Sequence, residues 1–216
     1  LYLLYYYTDI AGLSGFQIAT MFVICRIIDG ITDLLIGYAI DKTQTKFGKS
    51  RPYFLWGAIP FSVFAYLAFS VPLGFSVTHK LIYCYVTYIG LSFMYTVVNI
   101  PMASILPALA DDAQERTNLA TIRQFFGFLG ATVVSSLGLK LVDSFGQGDQ
   151  ALGFRYVMLL FGVISTLIFF FTFFSVRENE VKVNKKISFG ASIRALWQNK
   201  PWKIFALNIL FMFGAY

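Results

Sequence analysis

Three ionisable residues stand at helical spacing inside an otherwise apolar stretch of the sequence. Arg26, Asp29 and Asp33 are three and four positions apart, and Gly37 follows four positions later, so one helix face carries all four. If this stretch crosses a membrane, each charge facing lipid would cost roughly 2.5–3.5 kcal/mol, so the face must contact other helices or water. One arginine beside two aspartates leaves a net negative charge. A proton on one carboxylate, or a small metal ion such as sodium held by Asp29 and Asp33, would neutralise that charge.

Two interpretations of this charged face remain open. The two aspartates can form a cation site, to which Thr32 and Thr96 add hydroxyl oxygens. The charges can also form an ionic lock between helices, in which Arg123 from a later apolar run supplies the balancing charge. Buried ionisable residues in membrane spans mark ion or substrate pathways, which favours the cation site. The two arrangements can also coexist, because a transporter needs charge pairs that form and break.

A second polar group interrupts another apolar run. Tyr95, Thr96 and Asn99 lie within one turn of one another, and Pro101 follows them. A proline bends a helix, and membrane helices tolerate this where the freed carbonyls line a cavity. A polar cavity near Asn99 is one interpretation, and hydrogen bonds to neighbouring helices are the other. Arg123 could hold a polyhydroxylated or anionic substrate through its planar guanidinium.

The composition indicates whether water or lipid surrounds the helices that carry these residues. Of 216 residues, 57% are apolar and 13% are charged, against roughly 45–50% and 25% in soluble globular domains. A chain of this length cannot bury so much apolar surface in its own core, so lipid must take the place of that core. Long apolar runs with small residues at helical spacing are typical of helices. We therefore predict an all-α membrane protein in contact with the lipid bilayer.

The apolar runs and the basic residues predict the topology. At about 20 residues per crossing, one span ends within 1–7, another begins near 202, and the complete spans lie at 15–40, 52–71, 81–107, 117–142 and 154–176. Twelve of the 17 Lys and Arg residues lie in or beside the connections after the second, fourth and sixth spans. The positive-inside rule places these connections and the N-terminus in the cytoplasm. We therefore predict a multi-pass protein of the cell membrane, with no nucleic-acid partner.

The chain divides by composition into three parts. We predict an N-terminal transmembrane bundle over 1–176 with an incomplete first helix, a cytoplasmic middle loop over 177–201, and the start of a second bundle over 202–216. The chain begins and ends inside apolar runs, so we expect a fragment whose partner is the missing C-terminal bundle. Within the loop, apolar residues at helical spacing predict a helix along the inner membrane face, and an ordinary loop is the alternative. These apolar residues are Phe189, Ile193, Leu196 and Trp197.

The sequence carries no pattern that indicates catalysis. It has no Ser-His-Asp grouping, P-loop or metalloprotease motif. Cys25 and Cys84 lack metal-ligand spacing, and Asp112 with Glu115 indicates a capping box rather than a catalytic carboxylate pair. We predict that the protein is not an enzyme and has no cofactor other than a coupling ion.

Four collinear segments resemble a transporter family. They are YYYTDIAGLS, RIIDGITDLLIGYAIDKTQTKFGKSRPY, YTVVNIPMASILP and ERTNLATIRQFFGFLGA. Together they resemble the glycoside–pentoside–hexuronide:cation symporter family of the major facilitator superfamily, from residue 1 to about residue 180. The second segment also resembles the superfamily's loop motif between helices two and three, which latches the cytoplasmic side. Its residues here are Gly37, Asp41, Lys42, Gly48, Lys49 and Arg51.

The resemblance implies a fold and a set of site residues. The fold is a transporter of twelve helices in two bundles, of which this chain holds the first six helices, the middle loop and the start of helix seven. The matching positions imply a site for sodium or a proton, a sugar site, and a charge-network residue. The cation site would consist of Asp29, Thr32, Asp33 and Thr96. The sugar site would consist of Tyr95, Asn99 and Arg123, and the charge-network residue is Arg26.

Three positions depart from the family pattern. Asn99 replaces an aspartate, Ala103 replaces a tryptophan, and the acidic sugar ligand of helix one would precede Leu1. These departures leave the identity of the sugar open, and Thr32 leaves sodium and proton as alternatives.

We predict a secondary active transporter that moves a sugar or glycoside with a cation by alternating access. Its cavity would be lined by spans one, two, four and five. One alternative is a transporter of another solute, such as a hexuronide or a lipid-like molecule, by proton coupling or exchange. A second alternative is a membrane receptor that binds its ligand without transport.

Overall fold

The computed structural model describes residues 2–110, 112–177, 189–204 and 207–208. The chain comprises two compact units, Leu1–Glu180 and Val181–Tyr216. In the first unit, α1 (Leu3–Tyr5) continues as a π-helical turn, Tyr6–Ile10. The other helices of this unit are α2 (Gly15–Lys42), α3 (Arg51–Ala68), α4 (Val77–Ser104), α5 (Leu106–Leu109), α6 (Ala113–Gly146) and α7 (Gln150–Ser175). The second unit contains α8 (Phe189–Gln198).

Each complete predicted span coincides with a helix. The span predicted at 81–107 ends earlier than expected, because α4 ends at Ser104 and the short α5 follows. Pro107 lacks the amide hydrogen that would continue α4, which accounts for the earlier end. Among the described residues, α4, α6 and α7 are long and apolar enough to cross a membrane. The second helix is as long as α4 but carries the charged face, and α3 has 18 residues.

Polar side chains set several helix starts. The Ser14 amide before α2 donates to Gln17 Oε1 at 3.2 Å. Asp112 accepts from the Gln114 amide at 3.0 Å and so caps α6, whereas the predicted capping box would pair it with Glu115. Asp149 accepts from the Leu152 amide at 3.1 Å before α7. These bonds satisfy amides that have no partner within their own helix.

The third helix packs against α4 on one side and α7 on the other. Ser62 Oγ donates to the Gly162 carbonyl at 2.9 Å and shares a 2.8 Å hydrogen bond with Thr166 Oγ1. Tyr83 of α4 donates to the Leu67 carbonyl of α3 at 3.0 Å. Along α3, Gly57 and Leu67 meet Val98 and Tyr83 of α4 in that order, so these two helices are antiparallel. Arg51 and Ser62 meet Phe173 and Gly162 of α7 in that order, so α3 is antiparallel to α7 as well.

A buried aromatic cluster closes one end of the first unit. Tyr6 and Tyr7 are fully buried among residues of α2, α4 and α7. Tyr6 accepts from the Val71 amide at 3.2 Å, and its ring lies 5.3 Å from that of Phe154. Lys80 donates to the Ala11 carbonyl at 2.9 Å. The end of α1 and the loop after α3 are thereby held to α4 and α7.

The second unit is described in part. Arg194 and Trp197 of α8 are exposed, while the side chains of Phe189, Ile193 and Leu196 lie outside the described residues. Residues 200–204 are again helical, and Asn199 Oδ1 accepts from the Trp202 amide at 3.1 Å. Most of the predicted last span, from 209 onwards, lies outside the described residues.

A close approach of α6 and α7 gives a test of the packing. A Cβ at Gly153 would overlap the backbone carbonyl of Val142, and overpacking typically costs about 1–3 kcal/mol. We therefore expect Gly153→Ala to lower the thermal unfolding temperature of the full-length protein in detergent. Gly130→Ala is the matched control, because its Cβ would meet nothing within 4 Å and alanine favours the helix. Equal unfolding temperatures for Gly153→Ala and the wild type would contradict this contact.

Candidate functional site

A polar cavity of about 530 Å³ lies between α2 and α4. Its polar lining comes from these two helices, whereas α3 and α7 add mostly apolar side chains. The lining residues are Arg26, Asp29 and Asp33 of α2; Tyr88, Leu91, Ser92, Tyr95, Thr96, Asn99 and Ile100 of α4; Phe61 and Ala65 of α3; and Met158 of α7.

Two hydroxyl groups of α4 donate to two carboxylates of α2. Ser92 Oγ donates to Asp29 Oδ1. Thr96 Oγ1 donates to Asp33 Oδ1 at 2.8 Å. The partners in each pair are 63 positions apart in the sequence. Residue numbers therefore rise in the same direction along α2 and α4, and the two helices run parallel. We call these four side chains the carboxylate–hydroxyl ladder, with two rungs that are one helical turn apart.

The ladder concentrates negative charge at the cavity wall. Asp29 is half-buried, Asp33 is exposed to the cavity, and Thr96 is only 4% exposed. Arg26 lines the same cavity, but within the described part of the chain it forms no ion pair with either aspartate. The hydroxyls donate hydrogen bonds but carry no positive charge. The two carboxylates therefore present a net negative site of oxygen atoms, the ligand type that hard cations prefer.

Two predicted sugar ligands lie on the same helix as the hydroxyls. Tyr95 is 53% exposed and Asn99 is half-buried, and both line the cavity. Asn99 is less than one turn from Thr96. The structure thus brings together Arg26 and the predicted ligands Asp29, Asp33, Tyr95, Thr96 and Asn99.

Two other predicted ligands lie apart from this lining. The Thr32 hydroxyl donates to the Asp29 backbone carbonyl at 3.0 Å, so its hydrogen is engaged within α2. Arg123 is half-buried on α6 and is not one of the lining residues. That helix packs chiefly against α7. Spans one and five, predicted to line the cavity, contribute none of its described lining, and α3 and α7 contribute instead.

Ser92 and Tyr88 are the polar lining residues that the sequence interpretation missed. Their spacing offered a signal, since Tyr88, Ser92, Thr96 and Asn99 follow one another at four, four and three positions. This repeat continues the polar face of α4 by two turns beyond Tyr95. Ser92 alone does not indicate a site, because a single hydroxyl in an apolar helix commonly bonds to its own backbone.

The predicted loop motif forms a tight turn between α2 and α3. The Gly48 amide donates to the Thr45 carbonyl at 3.0 Å, and Gly48 has φ of 103°, which favours glycine. Arg51 Nη2 donates to the Phe173 carbonyl at 2.6 Å, and Nε donates to it at 3.2 Å. Phe173 lies in the last turn of α7, where carbonyls lack helical partners and a cation is favoured. Arg51 thus joins this loop to the end of α7.

The remaining motif residues surround this turn. Lys42 Nζ lies 4.5 Å from the centre of the Tyr38 ring, and Asp41 is exposed. Lys49 is half-buried beside the turn. A Cβ at Gly37 would meet nothing within 4 Å, so this side of α2 is open in the described structure.

Known proteins match the whole chain. Residues 1–216 match the family described as MFS/sugar transport protein. The isoprimeverose transporter of Lactiplantibacillus pentosus is 44% identical over 99% of this chain. The uncharacterized symporter YnaJ of Bacillus subtilis is 37% identical over 99%, and the putative glycoside/cation symporter YagG of Escherichia coli is 36% identical over 94%.

These relatives are longer than the chain. It covers 45%, 47% and 44% of their respective lengths, so it spans about half of the curated proteins that it matches. The family match and the apolar helices confirm the prediction of an all-α membrane protein of the major facilitator type. The chain therefore belongs to the MFS/sugar transport protein family, and within it to the glycoside–pentoside–hexuronide:cation symporters.

Proposed function

We propose that the full-length protein is a secondary active transporter that moves a sugar or glycoside together with a cation across the cell membrane. The observation that carries this proposal is the pair of carboxylates, each hydrogen-bonded to a hydroxyl, in a polar cavity among apolar helices. The names of similar proteins, an isoprimeverose transporter and a putative glycoside/cation symporter, support the same class of solute. Transport by alternating access would use this cavity as one wall of the pathway.

The cation would be held by Asp29 and Asp33. A sodium ion between them would take carboxylate oxygens as ligands and could use the Thr96 hydroxyl oxygen as well. A proton on one carboxylate would remove the same negative charge. Thr32 remains a proposed ligand that could offer a lone pair while its hydrogen stays on the Asp29 carbonyl.

The sugar would occupy the same cavity beside the cation. The Tyr95 phenol and the Asn99 amide can each donate and accept hydrogen bonds, as sugar hydroxyls require. A cavity of about 530 Å³ is within the range of small-molecule sites. Arg123 remains a proposed sugar ligand that would reach the substrate in another arrangement of the helices. The proposed activity involves binding and translocation, with no catalytic residue and no cofactor besides the coupling ion.

The proposed topology places the loop between α2 and α3 and residues 177–201 in the cytoplasm. The basic residues of these segments support this orientation through the positive-inside rule. We also propose that α8 lies along the inner membrane face. Its exposed Trp197 and Arg194 suit the interface between headgroups and hydrocarbon. In this arrangement 1–176 is the first bundle, and 202–216 begins the second.

The role of Asp33 can be tested by transport into vesicles that contain the full-length protein. A panel of labelled sugars, glycosides and hexuronides is offered under a sodium gradient and, separately, under a proton gradient. We expect one gradient to drive accumulation of a sugar or glycoside. Asp33→Asn should reduce that accumulation at least tenfold, because it removes a charge that the cation neutralises. Asp143→Asn, at an exposed carboxylate near the end of α6, is the control and should transport normally.

Other outcomes of this assay would contradict the proposal in distinct ways. Undiminished accumulation by Asp33→Asn would exclude its role in coupling. Binding of a sugar without counterflow in the wild type would indicate a receptor. Accumulation of a hexuronide or a lipid-like solute alone, or exchange without a gradient, would indicate the other transporter class.

The orientation can be tested by cysteine labelling of the full-length protein in intact cells. Lys46→Cys lies in the loop before α3 and Leu73→Cys in the loop after it, and both positions are exposed. We expect a membrane-impermeant maleimide to label Leu73→Cys directly and Lys46→Cys only after permeabilisation. The wild type gives the background, since Cys25 and Cys84 are buried. Reversed accessibility would contradict the proposed topology.

A further inference from the structure

We propose that Ser92 is a positioning residue that transmits cation binding to the substrate side of the cavity, a role that rests on the proposed cation-coupled transport. The Ser92 hydroxyl donates a hydrogen bond to Asp29, just as the Thr96 hydroxyl donates one to Asp33. Ser92 is half-buried and lines the cavity together with both carboxylates. The proposed site therefore has a hydroxyl of α4 opposite each carboxylate of α2.

The second rung changes how α4 is attached to α2. With the Thr96 rung alone, the polar faces of the two helices would be joined by a single hydrogen bond. Two rungs that are one turn, or about 6 Å, apart along parallel helices restrict both rotation and sliding. Ser92 thus makes the position of α4 depend on the state of both carboxylates.

Cation binding must alter these rungs. Each hydroxyl has one hydrogen, which it now donates to a carboxylate oxygen. A cation between Asp29 and Asp33 would draw on the lone pairs of the same carboxylates and would repel the hydroxyl hydrogens. The hydroxyls would turn a lone pair toward the ion or lengthen their hydrogen bonds. Either change weakens the attachment of α4 to α2 at two points, because a turned hydroxyl gives up its hydrogen bond and a lengthened bond lets the helices separate.

The substrate ligands lie on the helix that would move. Tyr95 is three positions after Ser92, and Asn99 is seven positions after it, so both lie within two turns along one helix. A helix transmits a displacement over that distance with little loss, because its backbone hydrogen bonds hold it rigid. The ladder thus forms a continuous physical link between the cation and the sugar, as energetic coupling between two sites requires.

The measurable quantity is the factor by which the cation raises sugar affinity in the purified full-length protein. Sugar binding is titrated without the cation and at saturating cation, using the sugar and cation that the vesicle assay identifies. We expect Ser92→Ala to reduce this factor about fivefold, because sugar affinity falls more at saturating cation than without the cation. Ser92→Thr keeps the hydroxyl and should retain most of the factor. Thr172→Ala is the control, because this exposed hydroxyl of α7 bonds to its own helix.

The outcomes separate this inference from the proposed function. If Ser92→Ala keeps the wild-type factor while Asp33→Asn abolishes the response to the cation, the role of Ser92 is wrong and coupled transport stands. If Ser92→Ala weakens sugar binding equally with and without the cation, Ser92 acts as a sugar ligand or a structural residue, and the inference is again wrong. If the wild type shows no response to any cation, the proposed function itself fails.

Discussion

Two carboxylates on a helix that packs among membrane-spanning helices need hydrogen-bond donors, which lipid does not provide. Asp29 and Asp33 find them on α4, where Ser92 and Thr96 repeat at the same four-residue spacing. This match holds only for parallel helices at one offset. A slip of one residue would place Leu91 or Phe93 opposite Asp29, and neither side chain can donate a hydrogen bond to the carboxylate. The two hydrogen bonds therefore favour this register of α2 against α4, which also brings the Phe22 and Tyr88 rings together.

The other helices fix α4 in the position that this register requires. Gly57 of α3 allows the Val98 side chain of α4 to approach its backbone, and the Ser62 hydroxyl cluster joins α3 to α7. Arg51 closes the far end of the same pair by donating to the last turn of α7. These are close-packed contacts between small residues and hydroxyls, the type that associates helices in membranes. The contact of α2 with α4 differs, because its polar rungs are groups that a bound ion could engage. A packed group of α3, α4 and α7 beside a contact that an ion could engage fits the coupled transport proposed above.

Much of this arrangement was predictable, since helix periodicity is a local property. The apolar runs predicted five complete helices, and the three-and-four spacing placed Arg26, Asp29 and Asp33 on one face, where the structure has them. Periodicity does not show which side chains are partners. Arg26 lines the cavity without an ion pair to either aspartate in the described structure, and the donors to the carboxylates are neutral hydroxyls. Arg123 lies on α6 outside the described cavity lining, and Phe61 and Met158 contribute to that lining although no polar pattern marked them. The sequence pattern does not distinguish apolar residues that line a cavity, because most other residues of a membrane helix are apolar too.

The amino-acid sequence by itself determined the lipid surroundings, the helices, the family and the net negative charge of Arg26, Asp29 and Asp33. Each of these depends on composition or on the 3.6-residue repeat, which a single segment expresses without reference to the others. Only the tertiary structure decided that Ser92 meets Asp29 and that Thr96 meets Asp33. These partners are 63 positions apart, and what brings them together is the packing of α2 and α4 within the bundle. A helix fixes the face on which a side chain lies, but the side chain opposite it depends on the position of every helix between them.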